Sequence, residues 1–329
     1  MKIAIVKLSS LGDIVHSMVV LQFIKKHYPE SVIDWVVEKR FKGILENNPH
    51  INQIHTVNLT KAKRNNSLIL LFAEVSKVRK FGQYDVVIDL QGLIKSAIIT
   101  KFINSRKIVG FDKNSIRERL VSYFYNQKVA IGYDQNTIER YVKLISEALS
   151  IKITNDDIIN KEFYLFSKSK LLIPQTPYIV FVIGSTWQSR NYPKEKFTQV
   201  AQAIKKSCIV IWGNEKEKEK AEWMSSESNY IQVMPKLSLD DLKRVIDHAS
   251  LLIGNDTGPS HMSWALNIPS IILFGPTPVE RSFQTPINTV LSSNSKINHY
   301  KLDKNDFSIK EIKVSDIVKI AKELLRVSL

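Results

Sequence analysis

The stretch Lys2-Ile3-Ala4-Ile5-Val6-Lys7-Leu8-Ser9-Ser10-Leu11-Gly12-Asp13-Ile14-Val15-His16 decides how this chain reads. Its first part predicts a strand over 3–8 that is apolar without alternation, as strands buried on both faces are. The run stops at Ser9-Ser10, and a helix is expected over 14–27, with Met18, Val19, Leu21, Phe23 and Ile24 at its apolar positions. A buried strand passing directly into a helix is half of a βαβ unit.

Working outward, the same alternation recurs. Strands are expected over 32–37, 54–59, 86–90 and 107–111, and helices over 41–46, 68–79 and 93–102. After residue 165 it starts again, with strands over 178–183, 208–212, 251–254 and 270–274. Helices are expected between them over 194–206, 215–225, 240–247 and 261–266. Such alternation predicts an α/β fold with doubly wound parallel sheets. The length of 329 residues fits two domains. The boundary is placed at 165/166, in a Ser-, Lys- and Pro-containing linker over 166–177. The expected domains are Rossmann-like and span 1–165 and 166–329. A closing helix over about 310–327 is expected to pack back towards the first half.

Composition narrows the function. Hydrophobic residues make up 44% and charged residues 24%, which excludes a disordered or collagen-like chain. Lys and Arg number 47 against 32 acidic residues, a net charge of +15 that favours anionic partners. The surplus is spread over both halves, whereas a nucleic-acid binder more often shows one dense stripe. One cysteine, Cys208, cannot form an internal disulfide. No window is apolar enough to span a bilayer, and the N-terminal apolar run is too short for a signal peptide. A cytoplasmic protein is expected.

The loop after the first strand lacks G-x-G-x-x-G, no Walker A sequence occurs, and no two His residues stand at metal-ligand spacing. Nicotinamide, ATPase and zinc chemistries therefore lose ground. Three strand-end clusters remain. In Ser9 to His16, Gly12 permits close backbone approach and Asp13 begins the helix, as a helix cap or as a base. In Ile253-Gly254-Asn255-Asp256-Thr257-Gly258-Pro259-Ser260-His261, a hydroxyl and backbone N–H groups open a helix, an arrangement suited to phosphate; a capped structural turn is the alternative. In Gly184 to Pro193, Ser185 and Thr186 precede Arg190, which suits a departing diphosphate, or a polar surface loop. Glu217 is placed to accept from ribose hydroxyls, or to join a solvated helix face.

With these residues in view, the chain resembles the bacterial lipopolysaccharide heptosyltransferases of glycosyltransferase family 9. The resemblance is carried by 7–13, by Asp89-Leu90-Gln91-Gly92-Leu93-Ile94-Lys95-Ser96, by the Arg117 to Asn126 region and by the 185–193 loop. Met234-Pro235-Lys236-Leu237-Ser238-Leu239, Asp256-Thr257-Gly258 with His261, and Gly275-Pro276-Thr277 complete it. It implies a GT-B fold, with two Rossmann-like domains facing across a cleft. It also implies an inverting, metal-independent glycosyltransferase without cofactor, and no D-x-D motif is present here. The implied donor is ADP-heptose and the implied acceptor the Kdo residue of Kdo-lipid A in the lipopolysaccharide inner core.

By this resemblance Asp13 is the general base and Arg190 neutralises the diphosphate. Ser185, Thr186, Glu217, Met234, Asp256, Thr257, Gly258 and His261 hold the donor. Ser10, Gly12, Lys61, Lys63, Arg64 and Arg117 face the acidic acceptor. The family usually carries Lys where this chain has Arg190, and the 61–64 loop departs from the family pattern. The acceptor implies peripheral residence at the cytoplasmic face of an anionic inner membrane, with no nucleic-acid partner and a monomeric state. A sibling that adds a later heptose or another sugar is the nearest alternative, although the Ser9-Ser10 pair favours the first enzyme. A non-catalytic nucleotide-sugar or nucleic-acid binder is the second.

Overall fold

A computed structural model describes residues 1–327; residues 328 and 329, the end of the second expected domain, lie outside the described residues. The chain divides into two compact units, Met1–Tyr164 and Leu165–Leu329. Each is built on a six-stranded sheet.

In the first unit the strands are β1 (Lys2–Val6), β2 (Val32–Glu38), β3 (Gln53–Val57), β4 (Val86–Asp89), β5 (Ile108–Phe111) and β6 (Gln127–Val129). They lie in the order β3-β2-β1-β4-β5-β6, every pairing parallel. The second unit repeats this plan with β7 (Ile179–Val182), β8 (Cys208–Ile211), β9 (Ile231–Val233), β10 (Leu251–Asn255), β11 (Ser270–Phe274) and β12 (Asn288–Ser292). Their order is β9-β8-β7-β10-β11-β12. Central strands such as β4, β7 and β8 are buried along their whole length, which is why their sequences are continuously apolar.

This strand order decides where ligands bind. The chain leaves β1 for one side of the sheet and β4 for the other, so a crevice opens outside their carboxyl ends. Val6 pairs with Asp89, which brings the 7–13 loop beside the 90–93 loop. In the second unit Val182 pairs with Gly254. A Cβ on Gly254 would stand 2.6 Å from the Val182 Cβ, so the absence of a side chain lets these strands meet. The 184–193 loop then lies beside 256–258.

Several elements differ from expectation. The helix over 14–27 is two helices, Leu11–Ser17 and Val20–His27. Met18 and Val19 between them keep helical φ/ψ, and the Met18 N–H still bonds to the Ile14 carbonyl at 3.0 Å, so the interruption is slight. Three strands without a sequence expectation, β6, β9 and β12, are edge strands with partly exposed patterns, which weakens the apolar signal. The amphipathic helix Thr137–Leu149, capped by Asn136, is a further addition.

The 166–177 stretch has no helix or strand. It is fastened to the start of helix Leu239–Asp247, where Ser167 donates to the Asp240 carbonyl at 2.8 Å and Ser169 to the Asp241 carboxylate. The closing helix runs Val314–Val327. Its Ile317, Ala321 and Leu324 are buried in the second unit's own core, together with Phe181 and Phe197.

Candidate active site

In the first unit the site grows from the carboxyl end of β1. Asp13 lies in the first turn of helix Leu11–Ser17 and is half-buried. Its Oδ2 accepts from the Ser10 N–H at 3.1 Å and the Ser10 hydroxyl at 2.8 Å. Asp13 is therefore a helix cap as well as a candidate base, and the two roles coexist because the cap fixes the carboxylate's position. The loop before it is pinned from the neighbouring strand end. Gln91 Oε1 accepts from the Leu8 N–H at 3.1 Å and the Ser9 N–H at 3.0 Å, and Lys95 Nζ donates to Ser9 Oγ at 2.6 Å.

Beneath the loop Lys7 is buried, its Nζ donating to the Leu90 carbonyl at 3.1 Å and lying 4.7 Å from the Tyr141 ring centre. Burial pushes its pKa down to about 8, against the opposing pull of Asp13 and Asp89. Asp89 is itself fully buried; burial raises its pKa, although the Tyr125 hydroxyl donates to it at 2.8 Å. Lys7, Gln91, Lys95 and Asp89 were not among the expected site residues. All four stand in segments that carry the family resemblance, and only the pairing of β1 with β4 gives them a shared task.

The expected acceptor residues are distributed more widely. Ser10 and Gly12 belong to the loop and helix start. Lys61, Lys63 and Arg64 lie exposed on the short helix Leu59–Arg64. Lys61 and Arg64 line a depression with Glu38 and Arg40, while Lys63 lines a groove of about 670 Å³ that also includes Lys95. Arg117 is exposed beyond β5. Lys95 is the cation that reaches the loop preceding Asp13.

In the second unit the hub is Asp256, buried directly after β10. Arg190 Nη2 stands 2.7 Å from Asp256 Oδ2 and also donates to the Asp256 carbonyl. His261 Nε2 lies 2.9 Å from Oδ1, and the Thr277 hydroxyl donates to Oδ2 at 2.8 Å. A carboxylate only accepts, so the imidazole presents Nε2–H to it. Burial works to raise the Asp256 pKa. The Arg190 charge outweighs it, with help from His261 and Arg281, and holds the carboxyl well below the usual range. Arg190, expected to neutralise a diphosphate, is thus a buried guanidinium already paired with Asp256. Thr277 was not expected in the site; Gly275-Pro276-Thr277 marked it only as part of the resemblance.

Thr257 stands at the N-terminal boundary of helix Gly258–Ala265 without a side-chain capping bond, and the helix's second residue is Pro259. The 184–193 loop is tied to the same strand end: Asn255 accepts from the Tyr192 N–H at 2.9 Å and donates to the Ile183 carbonyl at 2.8 Å. Ser185 Oγ, Ser189 Oγ and Asn191 Oδ1 are buried there without a hydrogen-bond partner. Unsatisfied buried oxygens carry a free-energy cost that a bound ligand relieves. Thr186 is exposed beside them.

Glu217 turns back towards β7. Its carboxylate accepts from the Gly213 N–H and the Asn214 side chain, both at 2.7 Å. A Cβ on Gly184 would stand 2.2 Å from the Glu217 Cδ, so glycine makes room for this carboxylate. Met234 is half-buried, and its carbonyl accepts from the Trp212 indole at 2.7 Å. The donor residues expected from sequence therefore stand at or just beyond the carboxyl ends of β7, β8, β9 and β10. Among the described residues no group of three or more His, Cys, Asp or Glu could hold a metal ion, and no helix is long and apolar enough to cross a membrane.

Comparison with known proteins agrees with this geometry. The model of glycosyltransferase family 9 (heptosyltransferase) matches residues 75–310. Lipopolysaccharide heptosyltransferase 1 of Campylobacter coli is 41% identical, covering 98% of this chain and 99% of that protein. Its Pseudomonas aeruginosa counterpart is 31% identical over 84% of this chain and 79% of its own length. The solved structure of E. coli heptosyltransferase WaaC with ADP is 26% identical, with a TM-score of 0.84 over 98% of this chain and 100% of that one. The same enzyme with ADP-2-deoxy-2-fluoro heptose gives a TM-score of 0.80. Two parallel-sheet units of matching strand order, joined to this similarity along the whole chain, make the protein a glycosyltransferase of the GT-B type that belongs to family 9, the heptosyltransferases.

Proposed function

We propose that this enzyme transfers L-glycero-D-manno-heptose from ADP-heptose to the Kdo residue of Kdo-lipid A, an early step in building the lipopolysaccharide inner core. Asp13 carries the reading. It is a carboxylate fixed by Ser10 at the carboxyl end of β1, on a loop held by Lys95 and underlain by Lys7. Two nearby cations favour its ionised form, which a general base requires.

In the step itself Asp13 takes the proton of the acceptor hydroxyl as the oxygen attacks the anomeric carbon. The bond to the ADP oxygen breaks and the anomeric centre inverts, without a cofactor. Ser185, Ser189 and the N–H groups at the start of helix Gly258–Ala265 receive the diphosphate. Arg190, locked by Asp256, orders that anion site and supplies less net charge than an unpaired cation would. In this reading Glu217 and Met234 hold the ribose and adenine of the donor. Lys61, Lys63, Arg64 and Arg117 provide positive charge for the acidic acceptor, and the enzyme acts as a monomer at the cytoplasmic face of the inner membrane.

An assay of ADP-heptose against Kdo-terminated and heptose-terminated acceptors tests this. Turnover with the first is expected. Preference for the second would reassign the enzyme to a later heptose addition.

A further inference from the structure

Helix Leu68–Val78 carries a broad apolar surface that is only partly buried. Val75 and Val78 are buried, facing the unit. Leu68, Ile69 and Phe72 point outward, exposed by 70%, 81% and 69%. Large apolar side chains grouped in this way on a charged protein mark an interaction surface. The helix packs against Ile94–Phe102, which packs in turn against the 3-10 turn Arg119–Phe124. Ile94, Leu120 and Tyr123 extend the exposed apolar surface over those two elements.

Cations flank the helix at both ends. Lys61, Lys63 and Arg64 precede it, Lys77 stands in its last turn with Nζ donating to the Thr56 carbonyl at 2.6 Å, and Arg79 and Lys80 follow it. None of these six forms a salt bridge with a carboxylate among the described residues. Two nearby acids accept from backbone donors: Glu74, half-buried, from the Asn58 N–H at 3.0 Å, and Glu118, exposed, from the Ile94 N–H at 2.6 Å. The surface is thus an apolar ridge inside a basic frame.

We propose that this ridge inserts into an anionic lipid leaflet, with Leu68, Ile69 and Phe72 entering the acyl region and the two basic clusters meeting the headgroups. The inference rests on the reading above that the acceptor is lipid-anchored. Eleven helical residues span about 16 Å, half a bilayer core, so the helix lies in the interface and does not cross it. A second copy of the chain fits poorly as the occupant, since a symmetric contact would set like cations against one another. Insertion also has a consequence for the reaction. Lys95 lines the groove beside this helix and donates to Ser9, so the ridge is one side chain away from the loop that carries Asp13.

The test is flotation with phosphatidylcholine vesicles, with and without phosphatidylglycerol, comparing the parent with Leu68→Ser/Ile69→Ser/Phe72→Ser. The parent is expected to bind only the anionic vesicles, and the variant to bind about tenfold or more weakly at equal salt. Turnover on a deacylated, water-soluble Kdo acceptor should be unchanged, which separates loss of membrane contact from loss of fold. A parent that turns over no Kdo acceptor yet floats with anionic vesicles would overturn the functional reading and leave the ridge standing. Equal vesicle binding by parent and variant overturns insertion, as does a parent dimer in lipid-free solution that the variant abolishes. Should the triple variant prove insoluble, Phe72→Trp in the parent decides: quenching by brominated acyl chains supports insertion, and its absence refutes it.

Discussion

Arg190 and Asp256, 66 positions apart, form a buried ion pair with Nη2 and Oδ2 separated by 2.7 Å. The pair joins the loop after β7 to the end of β10, beside the proposed diphosphate site. Charge in such a pair is mutually compensated, so its contribution is largely one of architecture. Removing one partner strands the other in a low-dielectric site.

Asp256→Ala is accordingly expected to destabilise the second unit by about 3–5 kcal/mol, the usual cost of breaking a buried pair. Arg190→Met/Asp256→Leu should recover most of that stability without recovering turnover. Thermal unfolding and kcat measured on both proteins check this. A double variant as unstable as the single one would show that the stranded charge is not what destabilises Asp256→Ala.

For Asp13 the two roles can be separated. Asp13→Asn keeps an oxygen for the Ser10 hydrogen bonds and loses the basicity. The melting temperature and ADP affinity should stay near those of the parent, while turnover falls by roughly 100-fold or more. Turnover within a few-fold of the parent would leave Asp13 as a cap alone.

Lys7 sets an alkaline limit. Its pKa of about 8 means that its charge, which favours the Asp13 and Asp89 carboxylates, is lost as pH rises through that value. Turnover should fall above pH 8, and Lys7→Met should be slow already at neutral pH with the alkaline limb gone. Stability moves the opposite way. An unfolded lysine titrates near about 10.4, so between the two values the unfolded chain holds more protons and folding is favoured by rising pH. Melting temperatures recorded across the same range therefore distinguish titration of the site from unfolding.

Gly184→Ala tests Glu217. The new methyl group would occupy the position of the Glu217 carboxylate, which must swing away from Gly213 and Asn214. Because a flexible side chain can move, stability should change little. ADP affinity, read by titration calorimetry, should drop about tenfold, or about 1.4 kcal/mol. Unchanged affinity would remove Glu217 from the donor site.

Much of this architecture was legible in the chain. Central strands such as β1, β7 and β10 announce themselves as unbroken apolar runs because both faces are buried. The edge strands β6, β9 and β12 do not, since a strand with one partner and a solvated face needs less apolar sequence. The helix break at Met18–Val19 was equally hidden, because no Gly or Pro marks it.

Residue types single out Asp13, Glu217, Thr257 and the 185–193 loop in the sequence, and the structure places each beyond the carboxyl end of a strand. What Arg190 does was not legible there. A basic residue in a polar loop reads as a free cation, and its burial against Asp256 exists only once β7 and β10 lie side by side. The same holds for Lys7, Gln91, Lys95 and Thr277. Local sequence determines strand, turn and helix because backbone geometry and burial act over a few neighbouring residues. Which charges neutralise one another is decided by distances between segments remote along the chain, and those distances exist only in the folded protein.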